Sequence, residues 1–105
     1  SSNELWRASL DVIDFMPLTS ANYSGGIIIT DWYSDDVSSS ESIKIVIKFL
    51  TNEIRSDAID IIIHKKICDQ TNNCQINKIE NNLNSEIKFA ILMHHSAKRR
   101  YREVV

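Results

Sequence analysis

Apolar and polar residues alternate at two different periods along the chain, and the changes of period mark out its elements. From Asn3 to Pro17 the period is helical: Leu5, Trp6, Ser9, Val12, Ile13 and Met16 fall on one side, while Glu4, Arg7, Asp11 and Asp14 recur on the other. Asn3 is placed to cap this helix and Pro17 to end it. After a polar connection, the segment SGGIIITDWY sets β-branched and aromatic residues behind Gly25 and Gly26, the form of a strand entered from a turn. The two glycines permit a positive φ or the close approach of another backbone, and a helix packed over them is expected. Residues 34–42 read as a Ser/Asp-rich loop. In SIKIVIKFL the period becomes two: Ile43, Ile45, Ile47 and Phe49 face one way, Lys44, Val46 and Lys48 the other. That is a half-buried antiparallel strand.

The segment TNEIRSD is a turn, and a further strand follows, with Ile59, Ile61, Ile63 and Ile67 on one face and Asp60, Ile62, His64 and Lys66 on the other. The run DQTNN has turn composition and predicts a short fold-back strand through Cys74, Gln75 and Ile76. Asn77 with Glu80 three residues later has the form of a capping box and predicts the second helix from that point. Its apolar stripe runs through Ile79, Leu83, Ile87, Ala90, Ile91, His94, Ala97 and Tyr101.

The predicted fold class is therefore α+β, a single domain over residues 1–105. It is a two-layer sandwich in which a three- to four-stranded antiparallel sheet carries the N- and C-terminal helices on one face, in the order α-β-β-β-(β)-α. Trp6, Leu10, Ile13, Ile45, Ile47, Ile61, Ile63, Leu83, Ile87 and Ala90 are expected to meet between the layers. The same alternation, with Ile28, Thr30 and Trp32 facing the helices, leaves Ile27, Ile29, Val46 and Ile62 on the other side of the sheet. They sit there among Lys44, Lys48, Asp60, His64 and Lys66, an apolar centre with a charged rim and the candidate partner-binding surface.

Composition narrows the functional classes. At 105 residues, 43% hydrophobic and 25% charged, the chain can bury a core without metal or a disulfide mesh. Twelve basic against fourteen acidic residues argue against a broad nucleic-acid-binding surface, and nucleic acid is not expected as a partner. The basic run Lys98, Arg99, Arg100 and Arg102 around Tyr101 suits a helix end that complements the dipole. No stretch is apolar for long enough to span a membrane. The chain does not open on Met, and a mature or trimmed domain is expected, with any anchor upstream.

Candidate chemistry is sparse. Cys68 and Cys74 flank the predicted hairpin turn, where facing positions suit a disulfide; two free thiols beside a loop are the alternative, and an oxidising compartment favours the bridge. Their spacing fits neither a C-x-x-C redox pair nor a zinc knuckle. His94 and His95 are adjacent on a helix and point about 100° apart, which disfavours a shared metal. Asp31 reads as an outward strand residue, and Asp11 and Asp14 as partners in exposed surface pairs with Arg7. With no nucleophile elbow, Gly-rich phosphate loop or ligand cluster in the sequence, the expectation is a non-enzymatic domain without catalytic residues, metal or cofactor.

The segments LWRASLDVIDFMPL and GGIIITDWY resemble an uncharacterised alphaproteobacterial family of small exported lipoproteins, and the likeness covers nearly the whole chain. A more distant, architectural likeness is to the domain of the outer-membrane-assembly lipoprotein C, in which a Trp-containing helix precedes an antiparallel sheet and a long closing helix. These resemblances imply a periplasmic domain, attached to the outer membrane through a lipid anchor upstream, that assists envelope assembly or maintenance. Its partner would be an envelope protein or a second copy of the chain. A small-molecule or lipid-binding domain with an apolar pocket between sheet and helices is the alternative function.

Overall fold

The computed structural model describes the backbone of residues 2–51 and 53–104, and the side chains of residues 4–51 and 53–97. Helix α1 (Ser2–Val12) is followed by β1 (Leu18–Asn22), β2 (Ile27–Thr30), β3 (Glu41–Phe49), β4 (Ile59–Cys68) and β5 (Cys74–Ile79), and α2 (Asn82–Val104) closes the chain. The five strands form one antiparallel meander in the order β1-β2-β3-β4-β5. The α+β class and the terminal helices agree with the sequence, while the sheet is wider than the three or four strands expected.

Both helices lie on one face of the sheet. Leu5 and Ala8 of α1 and Ile91 of α2 share a buried cluster with Ile28, Ile45, Ile47, Ile59, Ile61 and Ile63. Ile13 and Met16, in the turn after α1, seal the same cluster. Trp6, Leu10, Leu83 and Ile87 pack against it half-buried, and Ala90 is likewise only half-buried. The centre of the core therefore lies closer to Leu5, Ala8 and Ile91 than the helical stripes suggested. Ser9 tolerates full burial because its hydroxyl donates to the Leu5 carbonyl at 2.8 Å. Polar contacts also join α1 to α2, among them His94 Nε2 at 3.0 Å from Asp11 Oδ2 and the buried His95, with Nε2 3.4 Å from Glu4 Oε2. Asp11 thus faces α2 as well as solvent. Asn3 lies inside α1 instead of ahead of it, and its side chain falls outside the described residues. The side chains of Lys98, Arg99, Arg100, Tyr101 and Arg102 fall outside them too.

Three local expectations are corrected. Residues 77–79 belong to β5, where Asn77 pairs with Lys65 and Ile79 with Ile63, so the Asn77/Glu80 spacing caps nothing. The cap is Asn81, whose Oδ1 accepts the Leu83 N–H at 2.9 Å. Gly26 does adopt a positive φ of 67°, but what approaches it is strand β3: an added Cβ would stand 3.1 Å from the Phe49 carbonyl oxygen. No helix is needed to explain that glycine, because its carbonyl accepts the Phe49 N–H and its own N–H donates to Tyr23 O across the β1–β2 turn.

Trp32 does not face the helices. Ile29 pairs with Val46, but Tyr33 pairs with Ile43, so one extra residue enters the chain after Thr30 relative to β3. The side-chain alternation reverses there. Tyr33 packs against the core and Phe15, while Trp32 turns to the open side of the sheet. Inside the irregularity the ladder is completed by a side chain, since the buried Thr30 hydroxyl accepts the Ile45 N–H at 2.9 Å. Asp31 stays exposed, and its carboxylate accepts the Trp32 N–H.

Candidate functional site

Strand registers place side chains facing away from the helices. Residues paired across neighbouring strands share a face, so Ser20, Ile29, Val46 and Ile62 form one row across β1 to β4. Asn22, Ile27, Lys48 and Asp60 form the row beside it on one side. On the other side Lys44, His64 and Lys78 stand in line, followed by Ser42, Lys66 and Ile76. The four residues singled out from the sequence, Ile27, Ile29, Val46 and Ile62, thus occupy adjoining positions on the uncovered face, each half-buried by its neighbours.

The rim of this patch is basic. Lys44, Lys48, Lys66 and Lys78 project from it with His64, and Asp60 and Glu80 are acidic residues beside them. Lys78 reaches Glu80 at 3.6 Å, whereas Lys44, Lys48 and Lys66 make no ion pair among the described residues. Two of these lysines converge on Trp32, with Lys44 Nζ at 5.3 Å and Lys66 Nζ at 4.5 Å from its ring centroid. The indole holds both ammonium groups over the sheet by cation–π attraction. Sequence reasoning missed Trp32, Ile76 and Lys78 as members of this face. Trp32 depends on the irregularity after Thr30, and the other two on the full length of β5.

At one end of the same face, β4 and β5 are tied by a disulfide between the facing residues Cys68 and Cys74, with a Cα–Cα distance of 4.0 Å. The loop between them is built around Asp69, whose Oδ1 accepts from Thr71 Oγ1 at 2.7 Å, Thr71 N at 2.9 Å and Asn73 N at 3.0 Å. The Thr71 hydroxyl and these N–H groups hold the Asp69 carboxyl below its ordinary range. Asn72 supplies the left-handed residue of the turn, with φ 64°.

The helix side carries a cleft. Lying between α2 and β4, with a volume of about 380 Å³, it has Asp60, Ile61, Asn84, Lys88, Phe89 and Leu92 among its lining residues. Asn84 donates to the Ile61 carbonyl at 2.8 Å, and its own Oδ1 is buried without a hydrogen-bond partner among the described residues. Among the described residues no group of three or more His, Cys, Asp or Glu side chains is placed to hold a metal ion.

Comparison with known proteins assigns the chain at the level of family. Residues 1–100 match the model of the domain of unknown function DUF3576. The chain belongs to this family. It is 41% identical over 63 residues to an uncharacterised protein of Rickettsia prowazekii (strain Madrid E), a match that covers 60% of this chain and 38% of that relative. The chain thus corresponds to less than two-fifths of the relative it matches. No solved structure matches it. No helix among the described residues is long and apolar enough to cross a membrane.

Proposed function

We propose that this DUF3576 domain is a non-enzymatic interaction module that binds a partner protein through the uncovered face of its sheet. The observation that carries the proposal is the asymmetry of that sheet. Its helices cover one face, and the other presents Ile27, Ile29, Val46 and Ile62 as a contiguous apolar centre inside a polar rim. A protein interface has this anatomy, with an apolar patch that desolvates and a charged margin that steers.

The compartment proposed is the periplasm, with attachment to the outer membrane through a lipid anchor upstream and a role in envelope assembly or maintenance. The resemblance of the sequence to alphaproteobacterial exported lipoproteins supports it. So does the Cys68–Cys74 disulfide, since such bridges persist in oxidising compartments. A second reading, a small-molecule or lipid site, has its support in the cleft between α2 and β4, where the buried Asn84 Oδ1 would accept from a ligand donor.

The interface reading is tested by replacing Ile29 and Ile62 together with Lys in a tagged chain expressed in its own cells. Both residues point away from the core, so the thermal midpoint should shift by only a few degrees, about that expected for 1 kcal/mol or less in a domain of this size. Co-purification of the partner should be abolished. A folded double variant that retains every partner contradicts the proposal.

A further inference from the structure

The chemistry of the rim specifies the class of partner, an inference that rests on the interface reading above. The chain as a whole carries a formal charge of −2, yet its open sheet face concentrates Lys44, Lys48, Lys66 and Lys78, against Asp60 and the Glu80 that pairs with Lys78. The charge is therefore segregated. Across the sheet Lys44 stands opposite His64, and His64 opposite Lys78, so this row of the face carries basic residue types on three neighbouring strands. Lys44 and Lys66 are further drawn onto one indole, and neither is paired with a carboxylate among the described residues. Ammonium groups held in place without a carboxylate partner are complementary to an anionic surface that docks on them.

We infer that the open face binds an acidic protein segment whose carboxylates meet Lys44, Lys48 and Lys66 while its apolar side chains cover Ile29, Val46 and Ile62. Self-association is disfavoured by the same charges, because a two-fold pairing of this face would set one lysine rim against its copy. A single-stranded nucleic acid fits less well. Its bases need free aromatic faces, but the centre of the patch is aliphatic and the Trp32 ring is already engaged by two ammonium groups. Among the described residues the face also carries no Arg to fork onto phosphate.

The test measures fluorescence anisotropy of labelled probes with the intact chain: a soluble peptide of Glu and Leu, the same peptide with Lys in place of Glu, an oligothymidylate, and vesicles of phosphatidylglycerol. The Glu/Leu peptide should bind and the Lys/Leu peptide should not. Raising salt from about 0.05 to about 0.5 M should weaken binding roughly tenfold as the Debye length contracts. The double charge reversal K44E/K66E should abolish it, and K44Q/K66Q should weaken it if the reversal disturbs folding. Binding to the oligothymidylate or the vesicles without binding to the Glu/Leu peptide overturns the inference. If both peptides bind alike and only I29K/I62K removes them, the face is a protein site and the acidic class is wrong. If no peptide binding responds to either pair of substitutions, the acidic class and the interface reading both fail.

Discussion

Truncation of Ile63 to Ala should destabilise the domain by about 2–5 kcal/mol, toward the upper end of the cost of large-to-small changes in a core. Ile63 is fully buried, lies in register with Ile45 on one side and Ile79 on the other, and belongs to the cluster that joins the sheet to both helices. Its neighbours are held in a continuous sheet, so the cavity left by the missing atoms cannot collapse. Ile61 provides the comparison within the same strand. It borders the open cleft at α2, where side chains can relax inward, and Ile61→Ala should cost less than Ile63→Ala. Urea unfolding of the two variants measures both. A loss below about 1 kcal/mol for Ile63→Ala would mean that the covered face of the sheet has been taken for the wrong one.

Replacing Cys68 and Cys74 together by Ser should cost about 2 kcal/mol, the chain-entropy value for a loop whose ends are six residues apart. The effect should fall at or below that value because the turn is already organised by Asp69, whose carboxylate gathers Thr71 and Asn73 without help from the bridge. A reducing agent should lower the thermal midpoint of the natural chain toward that of the double variant and leave the variant unchanged. Thiol counting under denaturing, non-reducing conditions should find no free thiol. Two free thiols, or a midpoint insensitive to reduction, would contradict the bridge and weaken the periplasmic proposal with it.

What could be read from the sequence depended on whether a segment's environment was written in its own residues. Strands β3 and β4 were legible because one face is buried and the other is not, so Ile45, Ile47, Ile61 and Ile63 alternate with Lys44, Lys48, Asp60 and His64. Strand β1 was not, since all five residues of LTSAN are exposed and only the pairing with β2 makes them a strand. The start of α2 is not legible in the sequence because Asn77 and Glu80 mimic a cap, while the place of Ile79 beside Ile63 is a tertiary fact. The apolar centre of the candidate site followed from alternation alone. Its most chemically specific element, Trp32 beneath two lysines, did not, because one extra residue after Thr30 reverses the pattern, and nothing local announces it.

The central claim is that one face of the sheet is core and the other an interface, and a photo-crosslinking side chain tests it most directly. Placed at Val46, in the middle of the uncovered face, and illuminated in the cells that make the protein, it should yield a discrete adduct with a second protein. Placed at Arg7, on the solvent side of α1, it should yield none. Adducts from Arg7 with none from Val46 would contradict the account and move the interface to the helical layer.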